Sequence, residues 1–185
     1  ITSVAETSDG GYIVGGYFNS SSITIGNDVN GNPVELTRAS GSDGIIIKYD
    51  ENGIVEWAKS IGGSSSDYIT SVAETSDGGY VAGGYFWEGS ITVGEYTLTS
   101  AGSYDGMIIK YDENGVVEWA QSIGGSSRDY INSVAETSDG GYIVGGYFDS
   151  SSITVGNDVN GSLVELTNAG SSDGMIIKYD EDGYV

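Results

Sequence analysis

Carboxylates are the side chains of this 185-residue chain that could most readily do chemistry. Asp and Glu number 27 against six Lys and Arg, which gives a formal net charge of −21. A catalytic pair would need one carboxyl group kept protonated in an apolar pocket beside an ionised partner. The acidic positions that occur at matching places are Glu6, Asp9, Asp43, Asp50, Glu51 and Glu56, then Glu74, Asp77, Asp105, Asp112, Glu113 and Glu118. Because an active site is normally built once, this recurrence favours carboxylates that form turns and bond to the backbone.

Other reaction classes are excluded by residue types that the chain lacks. It contains neither His nor Cys, so it can form no Ser-His-Asp or Cys-His nucleophile system, no thiolate metal site and no disulfide. The negative charge predicts that nucleic acid is not a partner, because nucleic-acid binders need a basic surface. No apolar run is long enough to span a bilayer, which predicts no membrane insertion.

Two loops, 27–31 and 157–161, cluster oxygen-bearing side chains before a glycine. Calcium takes six to eight oxygen ligands, and its loops commonly alternate Asp and Asn in this way. The candidate calcium ligands are Asp28, Asn30, Asp158 and Asn160. Only part of the calcium signature is present, so a plain acidic surface turn is the alternative. No other cofactor is expected.

Aromatic residues that do not recur are the best candidates for ligand contacts. Trp87 falls where the other copies of a repeated pattern have Asn and Asp, and Tyr96 and Tyr104 are also specific to the middle copy. Aromatic side chains on loops commonly contact sugars or peptides. The predicted ligand-binding residues are therefore Trp87, Tyr96 and Tyr104. The alternative is that they cover a loop that is shortened in the middle copy.

Three of the four lysines occupy one repeated position, at Lys48, Lys110 and Lys178. A Schiff-base or isopeptide lysine would be the functional interpretation, whereas an ion pair across a hairpin is the structural one. The segment 50–53 suits a hairpin turn with its glycine in a left-handed bulge position. The cross-strand partners predicted from this turn are Tyr49–Val55, Lys48–Glu56 and Ile47–Trp57. We therefore expect Lys48 and Glu56 to pair.

All of these residues occupy fixed places in an internal repeat. The pattern DGGYIVGGYF returns with little change at 9–18, 77–86 and 139–148. The predicted units are repeat 1 at 1–68, repeat 2 at 69–130 and repeat 3 at 131–185. Segment 26–37 shortens to 94–99 in the middle copy, as expected of a surface loop or small hairpin.

Each repeat contains short segments rich in Val, Ile, Tyr and Trp, and no window has a helical stripe, so the chain is predicted to be all-β. The strands predicted in the first repeat are 3–7, 11–18, 43–50 and 54–61. An antiparallel meander of four strands within 62–68 residues, followed by a polar link, is typical of a β-propeller blade. A β-trefoil and a β-solenoid are the alternatives, although their repeats are shorter.

The blade interpretation also assigns roles to recurring residues. The glycine pair Gly15–Gly16 lies within a strand, where it is expected to leave room for an adjacent blade. Trp57 and Trp119 recur and are expected to pack between blades. Repeat 3 stops before its outer strand, and rings normally need four to eight blades. We therefore expect the three repeats to belong to a larger propeller or array.

A glycine pair followed by a Tyr and a Trp eight positions apart, as in Tyr49 and Trp57, resembles a stretched Kelch pattern. Segment 90–125, SITVGEYTLTSAGSYDGMIIKYDENGVVEWAQSIGG, is similar to the repeats of bacterial secreted β-propellers often labelled seven-bladed. The resemblance covers nearly the whole chain. It implies a secreted or cell-surface bacterial protein, and it supplies no catalytic motif.

The function expected from the sequence is a non-catalytic extracellular module for binding, adhesion or scaffolding. Its partner would be a carbohydrate or a protein surface. One alternative is a carbohydrate-active propeller enzyme, a lyase or hydrolase. Another is a structural array that self-associates through open blade edges.

Overall fold

The computed structural model describes residues 1–185, and every regular element in it is a β-strand. The strands are β1 Ser3–Glu6, β2 Tyr12–Phe18, β3 Ser22–Asn27, β4 Pro33–Thr37, β5 Asp43–Tyr49, β6 Val55–Ile61, β7 Asp67–Glu74, β8 Tyr80–Trp87, β9 Ser90–Val93, β10 Tyr96–Thr99, β11 Tyr104–Tyr111, β12 Val117–Ile123, β13 Asp129–Glu136, β14 Tyr142–Phe148, β15 Ser152–Asn157, β16 Leu163–Thr167 and β17 Asp173–Tyr179. The chain contains no helix that is long and apolar enough to cross a membrane.

Three antiparallel sheets form the blades. Blade 1 has the strand order β1-β2-β5-β6, blade 2 has β7-β8-β11-β12, and blade 3 has β13-β14-β17. The strand β11 is buried along almost its whole length, as its apolar run of Met and Ile requires. The all-β class and the propeller-blade architecture predicted from the sequence are confirmed. We call the contact between blades 1 and 2 the first seam and that between blades 2 and 3 the second seam.

The variable segments form separate two-stranded hairpins, β3–β4, β9–β10 and β15–β16. The β9–β10 hairpin turns tightly at Gly94, whereas β15 continues through a bulge between Thr154 and Gly156 to Asn157. Each later hairpin also reaches the preceding blade. Gly124, at the end of blade 2, exchanges two backbone hydrogen bonds of 3.0 and 3.1 Å with Thr154. A hairpin is thus shared between its own blade and the one before it.

The hairpin between β5 and β6 corrects part of the predicted pairing. Tyr49 lies opposite Val55 as predicted, but Lys48 lies opposite Trp57, and Ile47 lies opposite Ala58. The prediction is wrong by one residue for Lys48 and Ile47, because the ladder shifts between Lys48 and Tyr49 and leaves an extra residue on β6. The hairpin β11–β12 of blade 2 has the same shift.

Glycines in the second strands of blades 1 and 2 permit two different close approaches. A Cβ on Gly15 would lie 2.7 Å from Ile69 of blade 2, so this glycine leaves room at the first seam as predicted. A Cβ on Gly84 would lie 2.0 Å from the carbonyl oxygen of Tyr68, which belongs to the same blade. There β7 bulges between Ile69 and Ser71. The second glycine of the pair therefore leaves room for the neighbouring strand of its own sheet.

The recurring tryptophans hold the outer parts of the seams. Trp57 packs edge-on against Tyr80 of blade 2 with ring centroids 5.5 Å apart, and its indole N–H donates to the Glu113 carbonyl. Trp119 repeats this arrangement at the second seam with Tyr142. The predicted packing between blades is therefore present at both seams.

Candidate functional site

Seven aromatic side chains form one continuous surface across the three blades, which we call the tyrosine surface. Its members are Tyr17, Tyr68, Tyr85, Trp87, Tyr104, Tyr130 and Tyr147. Five of the tyrosines follow one another in a line, with ring centroids 4.7–5.0 Å apart. The rings meet edge-to-face or tilted, as aromatic quadrupoles favour. Aromatic contacts therefore run without a gap from blade 1 to blade 3.

Strand register places these tyrosines together. Tyr68 near the start of β7 lies opposite Tyr85 near the end of β8. Tyr130 and Tyr147 occupy the same positions in blade 3. Successive side chains of a strand point to opposite faces, so the buried neighbour Phe86 turns into the core while Tyr85 turns away from it. The repeated GGYF and DYI patterns consequently deliver their tyrosines to one end of the blades.

The middle blade adds two aromatic residues to this surface. Trp87 and Tyr104 lie directly opposite each other on β8 and β11, and their rings stack 5.4 Å apart. Tyr104 also contacts Tyr85 and Tyr130, at 5.5 and 5.4 Å. Two of the three predicted ligand-binding residues are therefore brought together on the tyrosine surface.

Tyr96, the third predicted ligand-binding residue, lies elsewhere. It begins β10, and its hydroxyl donates to the Glu118 carbonyl. It lines an acidic cleft near Lys110, at the opposite end of the blades from the tyrosine surface. Tyr96 therefore does not belong to the same site as Trp87 and Tyr104.

The tyrosine surface faces solvent and carries neutral hydroxyls. Tyr17, Trp87 and Tyr147 are 44%, 40% and 39% exposed. Burial raises the pKa of Tyr85 to about 12, and it also raises the pKa of Tyr104. At neutral pH these phenols are therefore hydrogen-bond donors beside apolar rings, and the surface can contact a partner without ionising.

The opposite end of the blades is built around buried lysines. Lys48 Nζ donates to Asp9 Oδ2 and Glu56 Oε2, both at 2.8 Å, and to the Tyr49 carbonyl at 2.9 Å. The Lys48 side chain is only 1% exposed. The predicted pairing of Lys48 with Glu56 is confirmed, although the bulge moves Glu56 out of the directly opposite position. We call each such group of one lysine and its carboxylates a lysine cluster.

The lysine cluster recurs in blade 2. Lys110 Nζ lies 2.9 Å from both Asp77 Oδ2 and Glu118 Oε2. Burial opposes ionisation of Asp77, but hydrogen bonds from Thr75 and Lys110 lower the pKa of Asp77 to about 2. All three protons of the Lys110 ammonium are donated to a carboxylate or a carbonyl. This geometry supports a structural ion pair at Lys48 and Lys110 and leaves neither of these two amines free for a Schiff base.

Acidic clefts open between the blades beside the lysine clusters. The cleft at the second seam measures about 680 Å³, and the corresponding cleft at the first seam about 310 Å³. Some of their carboxylates bond across the seams. Glu74 accepts the backbone N–H and hydroxyl of Ser8, and Glu136 accepts those of Ser76. These repeated bonds support the structural interpretation of the recurring carboxylates.

A second set of carboxylates is buried next to the tyrosine surface. Asp43 and Asp67 meet at the first seam, where both side chains are at most 2% exposed. One oxygen of each, Oδ1, has no hydrogen-bond partner. Burial raises the pKa of Asp67 to about 6, and the charge of Asp43 adds to this effect. At the second seam the equivalent Asp129 is fully bonded, because Ser150 donates to both of its oxygens.

The predicted calcium loops are stabilised by turns. Asp28 Oδ1 accepts the backbone N–H groups of Asn30 and Asn32 at 2.8 and 2.9 Å. Asp158 Oδ1 accepts those of Asn160 and Ser162. Nowhere does the structure bring three or more Asp or Glu side chains into a metal-holding group. Calcium binding at these loops stays a prediction, and turn formation accounts for the two aspartates.

No family model matches the chain. The chain is similar to an uncharacterized WD repeat-containing protein, L264, of Acanthamoeba polyphaga mimivirus, with 28% identity over 184 residues and 85% of this chain. It is also similar to the regulatory protein FlaEY of Caulobacter vibrioides, with 28% identity over 151 residues and 80% of this chain. The chain spans only 12% and 15% of the lengths of these relatives.

WD repeats are four-stranded propeller blades, so the first likeness agrees with the observed sheets. It supports a β-propeller-like repeat family. The finer assignment to bacterial secreted, Kelch-like repeats stays a prediction.

Proposed function

We propose that this chain is a non-catalytic binding module whose tyrosine surface contacts a protein partner. The observation that carries the proposal is the unbroken line of aromatic rings across three blades, several of them about two-fifths exposed. Tyr and Trp dominate the energetics of protein interfaces, because they present a large, rigid contact area with a polar tip. The likeness to a WD repeat-containing protein supports a protein partner in general.

The net charge of the chain restricts the class of protein that we propose as its partner. A net charge of −21 steers association toward cationic surfaces. The tyrosine surface itself carries neutral rings, which attract Lys and Arg through cation–π contacts. We therefore propose a partner with a basic surface that presents Arg, Lys and aliphatic side chains to the rings. Extracellular or cell-surface localisation is also part of this proposal, and it rests on the resemblance of the repeats and on the composition.

The non-catalytic part of the proposal rests on how the carboxylates are used. Those of the lysine clusters and seams recur, and they bond to lysines, hydroxyls and backbone N–H groups. The carboxyl groups with raised pKa values, Asp67 and Asp105, are 1% exposed and lie below the surface. A carbohydrate-active enzyme needs such a pair open to its substrate.

Peptide and glycan arrays probed with the whole chain test this function. We expect binding to basic peptides, and a loss of at least about tenfold in affinity when Trp87 and Tyr104 are both changed to Ala. Tyr96→Ala is the matched control, since Tyr96 is equally specific to the middle blade but lies at the other end. Binding confined to glycans would replace the protein partner with a carbohydrate. No binding on either array would favour a purely structural array.

A further inference from the structure

A small cavity of about 200 Å³ lies at the outer part of the first seam, away from the tyrosine surface. Its walls come from β6 of blade 1, from the β9–β10 hairpin, and from the turn that leads into β12. Ile61, Val93 and Val117 make the lining largely apolar. An apolar cavity of about 150 Å³ is enough to hold benzene. The space at the first seam therefore suits one substituted ring or a molecule of similar size.

The hydroxyl of Tyr111, a residue that lines this cavity, has no hydrogen-bond partner, although the side chain is fully buried. The equivalent tyrosines are bonded. Tyr49 donates to the Ile25 carbonyl at 2.7 Å, and Tyr179 donates to the Val155 carbonyl at 2.6 Å. In the middle blade the short hairpin turns directly after Val93 and provides no such bond. A buried hydroxyl without a partner costs free energy, and a bound acceptor would recover it.

Lys59 provides a second unusual feature at this cavity. The other three lysines form ion pairs, whereas Lys59 forms none and lines the cavity. At the second seam Gln121 occupies the equivalent position, and its side-chain amide donates to the Gly183 carbonyl. A Cβ added to Gly156 there would meet Gln121 Oε1 at 2.5 Å, so that seam is filled. At the first seam the nearest atoms to a Cβ on the equivalent Gly94 would belong to Val117, at 3.0 and 3.1 Å.

We propose that this cavity binds a small, uncharged, mainly apolar molecule with a hydrogen-bond acceptor at each end. Tyr111 donates to the acceptor at the buried end, and Lys59 donates to the acceptor at the exposed end. The apolar walls hold the body of the molecule. A neutral ligand is favoured over an anion because the chain carries a net charge of −21. This site does not depend on the tyrosine surface or on its proposed protein partner.

The test is an NMR titration of the whole chain with two probes of similar shape. 4′-Hydroxyacetophenone has an oxygen at each end of its ring, whereas 4-ethyltoluene has none. We expect the first probe to bind with a dissociation constant in the millimolar range. Tyr111→Phe should weaken the binding of this probe by about tenfold and should leave the binding of 4-ethyltoluene unchanged. Lys59→Gln introduces the residue found at the second seam, and it should weaken the binding of 4′-hydroxyacetophenone by a few fold.

Tyr49→Phe is the matched control, because it removes the same hydroxyl from a site that has its partner. It should leave the binding of both probes unchanged. The double Ala variant at Trp87 and Tyr104 should also bind 4′-hydroxyacetophenone normally, which separates this proposal from the proposed function. Equal binding of the two probes, or no loss in Tyr111→Phe, would overturn the proposal. A crystal soaked with the probe that shows only ordered water beside Tyr111 would overturn it as well.

Discussion

The two ends of the blades are made from the same repeat but are held in opposite ways. At the lysine end, each of the first two blades buries one cation and surrounds it with carboxylates from two different turns or strands. At the tyrosine end, neutral rings contact one another across the seams, and buried carboxylates lie beneath them. The lysine end has its polar groups paired internally, whereas the tyrosine end leaves rings exposed. The buried ion pairs of the first end belong to the interior of the fold, whereas the rings of the second end remain in contact with solvent.

The largest stability effect is expected at the lysine end, from Lys110→Met. Removing the central cation leaves Asp77 and Glu118 facing each other without a counter-charge. Because both carboxylates are about half exposed, we expect the free energy of unfolding to fall by about 2 kcal/mol, which is less than for a fully buried pair. Urea denaturation measures it.

Lys178→Met is the matched control for Lys110→Met. The Lys178 side chain is 52% exposed and pairs with Asp139 alone, so its replacement should change stability by at most about 0.5 kcal/mol. Equal effects at the two positions would contradict the structural role of the buried clusters.

The next effect is expected below the tyrosine surface, from Asp67→Asn, and it has the opposite sign at neutral pH. Because the pKa of Asp67 is raised from 3.8 to about 6, the folded chain binds more protons than the unfolded chain between those values. Its stability therefore falls as the pH rises through that window, and the loss is complete above it. Asp67→Asn removes this titration and should stabilise the chain by about 1 kcal/mol at pH 8. Thermal denaturation from pH 4 to 8 measures the difference.

Asp129→Asn supplies the comparison for Asp67→Asn at the second seam. Both oxygens of Asp129 accept hydrogen bonds from Ser150 and Gly125. Replacing one of these oxygens by an amide nitrogen removes an acceptor, so Asp129→Asn should destabilise the chain at every pH. If Asp67→Asn behaved in the same way, the unpartnered oxygen at the first seam would not be the cause.

A smaller effect is expected from Glu136→Gln. The carboxylate accepts hydrogen bonds from Ser76 across the second seam in an exposed position. The glutamine side chain keeps one acceptor oxygen, so we expect the free energy of unfolding to fall by only about 0.5 kcal/mol. Urea denaturation in low and high salt measures it, and a loss as large as that of Lys110→Met would place the main polar tie at this exposed contact instead.

The smallest stability effect is expected from Trp87→Ala on the tyrosine surface. The ring stacks on Tyr104 but is 40% exposed, so stability should change by less than about 0.5 kcal/mol. Thermal denaturation next to the array measurement checks this. A collapse of stability would show that the surface maintains the fold and would remove the contrast between the two ends.

The repeat made much of the fold predictable from the sequence. Three copies of one pattern predicted three blades within this chain, the variable hairpins, the turn at Asp50 and the role of Trp57. The pairing of Lys48 was predictable because Glu56 lies eight residues away in the same hairpin. The second partner of Lys48, Asp9, lies 39 residues away in the sequence. The contact between Lys48 and Asp9 depends on how the turn after β1 folds over β5. Local patterns do not contain that information.

The tyrosine surface was missed for a related reason. Tyr17 and Tyr68 are ordinary strand residues when each copy is considered alone, and only the packing of blades brings their rings to 4.8 Å. The available signal was alternation, since each tyrosine lies beside a residue of opposite orientation such as the buried Phe86 or Ile69. Trp87 and Tyr104 could be identified because they interrupt the repeat. Tyr96 interrupts it too, but the hairpin carries it to the other end.

The hairpin that each blade extends over its predecessor has a consequence for how the chain unfolds. Thr154 of the third repeat completes the hydrogen bonding of Gly124 in blade 2, and Ile91 of the second repeat is buried in the same cluster as Ile61 of blade 1. The outer edge of a blade is therefore finished by residues that follow it in the sequence. Nearest-neighbour coupling of this kind makes adjacent repeats, rather than single ones, the cooperative units of an array. A nascent chain would gain the full stability of each blade only after the next hairpin had been synthesised.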